Sequence, residues 1–307
     1  MKKLNLIDSK KLIFIVGCPR SGTTYLQSLI SKHKNIVSFP ETHFFSCFKN
    51  SKKNNYINLD ERRKLKEILT TKLEGVINEK NIHSILKETI SESFSNLIYF
   101  LIKYFKIKIK NSDTFFLEKT PLHFLKIDLI KRIFPKCKII FIYRNPHKVI
   151  VSRKVKIPHT KNATTEYLAT NWKLMIKIME KSMIRYINDV YSIRYETLKK
   201  NEISELKNLF SFFSSDLLSF NFYDQYSKND QIILPFENWK SYDKNDNYSG
   251  YSKTFELQKI DYTIISLILS KEMSKYNYPN IMSGTSKFNQ LFIYCNFRFK
   301  NLLKKFF

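Results

Sequence analysis

The sequence predicts an α/β fold: a central parallel sheet with helices on both faces. Three observations carry this. Short apolar runs of strand type alternate along the chain with longer segments of helical spacing, which is the pattern of a parallel sheet with crossover helices. Four prolines, Pro19, Pro40, Pro121 and Pro146, fall just after predicted strand ends. Finally, glycine is scarce, five in 307 residues, yet Gly17 and Gly22 flank one short turn between an apolar strand and a helix.

The elements follow in order. Residues 12–17 are a buried strand feeding a helix at 22–33, and 36–39 is a second strand stopped by Pro40. Residues 60–109 are expected to be helical, with Ile68, Leu69, Leu73, Val76 and Ile77 at three-to-four spacing. Thr114–Leu117 is a third strand, followed by a helix near 122–134. A fourth strand runs from Lys138 to Arg144, ended by Asn145-Pro146, and a helix starts at 146. Residues 154–163 are expected to be a loop and 164–187 a long helix containing Trp172. Residues 190–195 form a strand, 198–213 a helix, 237–254 a polar loop, and 256–275 a closing helix. One domain over 1–282, with a helical insertion at about 45–112, and a basic aromatic helix or tail at 283–307 account for the length.

Composition bounds the partners. Hydrophobic content of 43% and aromatic content of 15% are values of a folded globular chain. The formal charge of +26 is compatible with nucleic acid, anionic membranes or anionic substrates. The lysines are spread along the chain, no nucleic-acid motif is present, and compositional drift explains much of the excess, so no specific nucleic acid is expected. Cys18, Cys47, Cys137 and Cys295 lie far apart without metal-ligand spacing, which predicts no metal and either a reducing, cytoplasmic setting or no structural role for the thiols. Met1-Lys2-Lys3 with Val16-Gly17-Cys18 is similar to a lipoprotein signal. The apolar run Leu12–Val16 is shorter than the usual 7–15 residues, and the segment reads better as a strand. No apolar run approaches the roughly 20 residues of a membrane span.

The chemistry starts in the turn. Gly17-Cys18-Pro19-Arg20-Ser21-Gly22-Thr23-Thr24 directs backbone N–H groups and a helix N-terminus at one place, as anion-binding loops do. The glycine spacing makes the fold P-loop-like, but Thr23 stands where a Walker A loop has its lysine. A nucleotide-dependent kinase, one alternative, needs that lysine and an acidic magnesium ligand after a strand. A basic nucleic-acid-binding module is the other alternative. Downstream, Arg144 ends a strand and Ser152 lies on the next helix, a pair able to grip a second phosphate.

Taken together, Pro19-Arg20-Ser21-Gly22-Thr23-Thr24 and the Arg144…Ser152 pair resemble the sulfotransferases that use 3′-phosphoadenosine 5′-phosphosulfate (PAPS). Ile193-Arg194-Tyr195-Glu196-Thr197-Leu198 is similar to a recurring segment of the same family. The resemblance covers about residues 12–200. It implies that Pro19, Arg20, Ser21, Gly22, Thr23 and Thr24 hold the 5′-phosphosulfate and that Arg144 and Ser152 hold the 3′-phosphate. Tyr25 matches a position where cytosolic members stack the adenine, with Trp172 a second candidate. Glu41, in Pro40-Glu41-Thr42-His43, resembles the catalytic glutamate of the tyrosylprotein and heparan-type enzymes. Lys119 resembles the lysine that contacts the cofactor's bridging oxygen, and Arg20 would neutralise the phosphosulfate. His123 and His43 are the alternatives for the base, since cytosolic members use a histidine and Pro121 stands in its place here.

The implied reaction moves a sulfuryl group from PAPS to a hydroxyl of a carbohydrate or lipid-linked glycan, leaving adenosine 3′,5′-bisphosphate. The polar loop at 237–254, with Trp239, Lys240 and Lys253, is a candidate cover for the cofactor. The C-terminal run Phe288–Phe307 is a candidate for peripheral membrane contact, or else a packed terminal helix.

Overall fold

The computed structural model describes residues 8–49, 58–72, 113–156, 162–214, 217, 257–281, 286 and 288–295. Five strands form a parallel sheet: β1 (Leu12–Gly17), β2 (Ile36–Ser38), β3 (Phe115–Lys119), β4 (Lys138–Tyr143) and β5 (Val190–Arg194), in the order β2-β3-β1-β4-β5. β1 is central and pairs in parallel with both β3 and β4; Ile15 lies opposite Lys119 on one side and Ile140 on the other. The helices are α1 (Thr23–Ile30), α2 (Leu59–Lys72), α3 (Ile127–Ile133), α4 (Pro146–Lys156), α5 (Thr165–Arg185), α6 (Tyr195–Lys200), α7 (Glu202–Phe213) and α8 (Lys259–Lys275).

The chain divides into two compact units. Met1–Gly17, Gly22–Ile142 and Lys181–Ser241 make the first, and Cys18–Ser21, Tyr143–Glu180 and Tyr242–Phe307 the second. The first contains the core of the sheet. Alternation decides which side chains meet which helices. Ile13 and Ile15 of β1 join Leu117, Ile140, Ile142 and Ile193 in one cluster with Leu26, Leu29 and Ile30 of α1 and Leu209 and Phe210 of α7. Phe14, between them, packs instead on Phe45 and Phe134. Covered on both faces, β1 reads as a continuous apolar run rather than an alternating one.

In the second unit Trp172 of α5 is fully buried and meets Tyr278, which also meets Tyr143. Asp261, in the first turn of α8, closes a capping box with Gln258 and accepts hydrogen bonds from Lys154 and Thr165. No helix among the described residues is long and apolar enough to cross a membrane.

Several element bounds differ from the periodicity. The helix expected at 122–134 is a 3-10 turn (Pro121–Lys126) followed by α3, because Pro121 sets the first turn. The helix expected at 198–213 is broken at Asn201 into α6 and α7. α4 continues through Lys156, into the expected loop. α2 is the described part of the expected 60–109 helix. The remainder of that helix and the 237–254 loop lie outside the described residues.

Candidate active site

In the first unit the parallel strands bring the chain to one edge at Gly17, Glu41 and Lys119, since β1, β2 and β3 share a direction. Gly17 is required there: a Cβ would collide with the carbonyl oxygen of Ile142 on β4. Gly22 caps α1 in a left-handed conformation, φ 99°, and a Cβ would strike the Tyr195 ring. Thr23 is buried directly after it.

Lys119 ends β3 with its side chain only 1% exposed. Its Nζ donates to Glu41 Oε1 at 2.5 Å and to Thr24 Oγ1 at 3.3 Å. The other Glu41 oxygen, Oε2, lies 3.3 Å from His43 Nε2. Thr24, Lys119, Glu41 and His43 therefore form one chain of polar contacts, with Glu41 14% and His43 24% exposed at its open end.

Behind this chain lies a residue that sequence reasoning passed over. Glu118 precedes Lys119 on β3, so its side chain points to the opposite face, where it is 2% exposed. Its Oε1 accepts from Thr42 Oγ1 at 2.9 Å and from Thr120 Oγ1 at 2.6 Å, and its Oε2 faces His123 Nδ1 at 3.1 Å. Burial pushes the Glu118 carboxyl up, but the hydrogen bonds it accepts from His123, Thr120 and Thr42 hold it below the usual carboxylate range. A carboxylate inside an apolar strand was the available signal.

His123 is fully buried, and its Nε2 accepts from Phe45 N at 3.2 Å while Nδ1 faces Glu118. With both nitrogens engaged inside the protein, this ring serves the fold and not an acceptor hydroxyl. His43, by contrast, stands at Glu41.

Tyr25 also departs from expectation. It is 7% exposed and belongs to the core cluster. Its hydroxyl donates to Glu202, Lys199 Nζ lies 4.4 Å from its ring centroid, and Tyr195 meets it edge-on. The ring expected to stack adenine is instead used for packing.

In the second unit Cys18–Ser21 forms a tight turn, with Ser21 N donating to Cys18 O at 3.0 Å. Arg20, between Pro19 and Ser21, takes a left-handed φ of 75°, rare for a side chain of this size. Its Nε donates to Ser152 Oγ at 3.0 Å, and Arg144 donates through a guanidinium nitrogen to the Arg20 carbonyl at 3.4 Å. The three residues assigned to anion binding from two distant motifs are thus joined directly. Trp172 Nε1 donates to the Arg144 carbonyl at 3.0 Å, and Asn145 Oδ1 accepts from His147 N, so the backbone under Arg144 is held on both sides. This is the role of Trp172, a core residue. Arg153, one residue beyond Ser152, is buried against Cys18 Sγ at 3.8 Å and adds a cation that the motifs did not reveal.

One polar atom in this turn is unsatisfied. Ser21 Oγ is buried with no hydrogen-bond partner among the described residues. A buried hydroxyl without a partner is costly unless a ligand supplies one. With Arg20 and Arg144 beside it in the chain's anion turn, the donors present fit a phosphate-bearing ligand.

The sulfotransferase family model matches residues 13–217, about two thirds of the chain. The chain belongs to the sulfotransferase family. It is a PAPS-dependent sulfotransferase, and enzymes of this family act on hydroxyl-bearing acceptors. The sulfotransferase domain of the olefin synthase from Synechococcus PCC 7002 shares the fold, with a TM-score of 0.54 at 16% identity over 87% of this chain and 94% of that one. The sulfotransferase domain from the curacin biosynthetic pathway aligns at 0.47 and 16% identity over 87% and 97%. A sulfotransferase from Alicyclobacillus acidocaldarius aligns at 0.43 and 14% over 86% and 98%. No curated protein matches the sequence.

Proposed function

We propose that this sulfotransferase moves a sulfuryl group from PAPS to a hydroxyl of a carbohydrate or lipid-linked glycan, with Glu41 as general base. The observation that carries this reading is the Thr24–Lys119–Glu41–His43 chain of contacts at the carboxyl edge of the sheet. PAPS, when bound, supplies the activated sulfuryl group and a nucleotide leaving group. Pro19, Arg20, Ser21, Gly22, Thr23 and Thr24 hold the phosphosulfate end, and Ser21 Oγ gains the partner it lacks among the described residues. Arg144 and Ser152 hold the 3′-phosphate. Glu41 takes the proton of the acceptor hydroxyl. Lys119 opposes the negative charge that develops on the leaving oxygen, and Arg20 the charge of the phosphosulfate.

The glutamate-type base and the +26 charge favour a glycan. Leu122 and Leu125, exposed at i,i+3 on the turn that follows Lys119, suit the apolar part of a lipid-linked one. The four cysteines are free thiols, in keeping with a cytoplasmic setting.

Calorimetry with adenosine 3′,5′-bisphosphate, together with transfer from radiolabelled PAPS to glycolipid acceptors, tests the reading. Glu41→Gln is expected to keep the wild-type affinity and to lose transfer by about 10²–10⁴-fold. Absence of nucleotide binding by the wild type overturns the cofactor assignment. Full transfer by Glu41→Gln overturns the base.

We further propose contact with an anionic membrane through the C-terminal segment. Residues 288–295 are helical and expose Phe288, Leu291 and Phe292 at i, i+3, i+4. The sequence after them carries Arg298, Lys300, Lys304 and Lys305, with no acidic residue beyond Glu272. Vesicles containing phosphatidylserine should sediment the protein, neutral vesicles should not, and Phe288→Ser/Phe292→Ser should release it. Equal sedimentation with neutral vesicles rejects the electrostatic part of this proposal.

A further inference from the structure

We infer that Glu118 is a positioning residue for the reaction: its buried carboxylate holds the loop of Glu41 and His43 against the strand end that carries Lys119. The inference rests on Glu41 being the base. It starts from four consecutive backbone N–H groups. Thr42 N faces Glu118 Oε1 at 3.4 Å, and His43 N donates to Thr120 Oγ1 at 3.2 Å. Phe44 N donates to Thr42 Oγ1 at 3.3 Å, and Phe45 N to His123 Nε2 at 3.2 Å. The three side chains that receive the last three bonds, Thr120, Thr42 and His123, all end on the Glu118 carboxylate.

The donor logic leaves little freedom. A carboxylate only accepts, so both threonine hydroxyls donate to it and keep a lone pair for the loop. His123 must then carry its proton on Nδ1, toward Glu118, leaving Nε2 to accept from Phe45. An amide at position 118 breaks this in either orientation: its NH2 meets the Nδ1 proton one way, and the other way it meets the Thr42 N–H and both threonine hydroxyls that donate to Oε1.

The loop needs such support. His43 has a φ of 50°, a left-handed conformation uncommon outside glycine, which its surroundings must hold in place. That conformation coincides with the placement of the His43 ring at Glu41 Oε2, while Glu41 Oε1 faces Lys119. Glu118 thus ties Thr42, next to Glu41 in sequence, to Thr120, next to Lys119.

The test uses the full chain and needs no acceptor. Acetic anhydride acylates Lys119 more slowly while Glu41 holds its ammonium, and mass spectrometry reads the rate. Glu41→Gln should raise that rate, and Glu118→Gln should raise it to a similar level. The double variant should be no faster than Glu41→Gln alone, because Glu118 acts through Glu41. Deuterium exchange of the peptide covering 42–45 should quicken about tenfold in Glu118→Gln, with β1 and α1 unchanged. Affinity for adenosine 3′,5′-bisphosphate should stay within about threefold of wild type. Thr120→Val should reproduce these effects more weakly, and it stands in if Glu118→Gln does not fold. A wild-type Lys119 rate in Glu118→Gln, or a further increase of the same factor in the Glu41→Gln background, overturns the inference. Either result leaves the base assignment to the transfer assay on Glu41→Gln.

Discussion

Lys119 Nζ sits 2.5 Å from Glu41 Oε1, with the lysine almost wholly buried and the other glutamate oxygen 3.3 Å from His43 Nε2. The two groups proposed to act on opposite ends of the transferred sulfuryl group are therefore partners at the end of the sheet. A carboxylate held this way is oriented by the lysine on one oxygen and by His43 on the other. The pair also sits where sequence order gives no hint of it, 78 residues apart.

Lys119→Met tests the pairing from the lysine side. On the proposed role it removes the group opposing charge on the leaving oxygen, and transfer should fall by about 10²–10³-fold. Binding of adenosine 3′,5′-bisphosphate should weaken far less, because the turn at Arg20 and Arg144 is untouched. Rates from radiolabelled PAPS, set beside calorimetry, separate the two effects.

Arg144→Ala and Ser152→Ala should differ. On its proposed 3′-phosphate role, losing Arg144 removes a charge-assisted contact and should cost about 1.5–3 kcal/mol, roughly 10–200-fold in nucleotide affinity. Ser152→Ala also removes the hydroxyl that receives Arg20 Nε. It should weaken binding less at equilibrium, with a smaller effect still when combined with Arg20→Ala. A double-mutant cycle by calorimetry measures that coupling.

Gly22→Ala should destabilise the protein by about 1–3 kcal/mol, since the residue is left-handed and its Cβ meets the Tyr195 ring. Urea denaturation reads the midpoint. Tyr195→Leu in the same chain should recover part of the loss by relieving the collision, and none of the part due to φ.

Acid should destabilise the fold between about pH 6.5 and pH 4. Burial holds His33 down at about 4, aided by the nearby Lys34 charge, and burial and Lys148 hold His147 at about 4 as well. In the unfolded chain both titrate near 6.5. Between those values the unfolded state binds more protons, so stability is full above pH 6.5 and is lost as pH falls toward 4. For His33 the structural reason is visible: its Nδ1 accepts from Asn35 N, which a protonated ring cannot do. Melting temperatures from pH 7 to pH 4 should fall less steeply in His33→Gln than in wild type.

The arrangement of strand, glycine turn and helix at 12–30 was legible in the sequence because it is local. The apolar run, the two glycines and the helical spacing all lie within twenty residues. Arg144 and Ser152 were legible for the same reason, through a strand end and the helix after it. What only the tertiary structure decided are the partners. Tyr25 could not be placed in the core until Glu202, 177 residues away, received its hydroxyl. The two nitrogens of His123 could not be given partners until Glu118 and Phe45 N–H lay beside them. Glu118 itself carries no motif, because a buried carboxylate is defined by the hydroxyls and imidazole that satisfy it, and these come together only when β3 lies beside the loop after β2. Periodicity reports which face a residue takes, and local turn chemistry reports where the chain bends. Hydrogen-bond partners across the sheet are set by register and packing, which no single stretch of sequence contains.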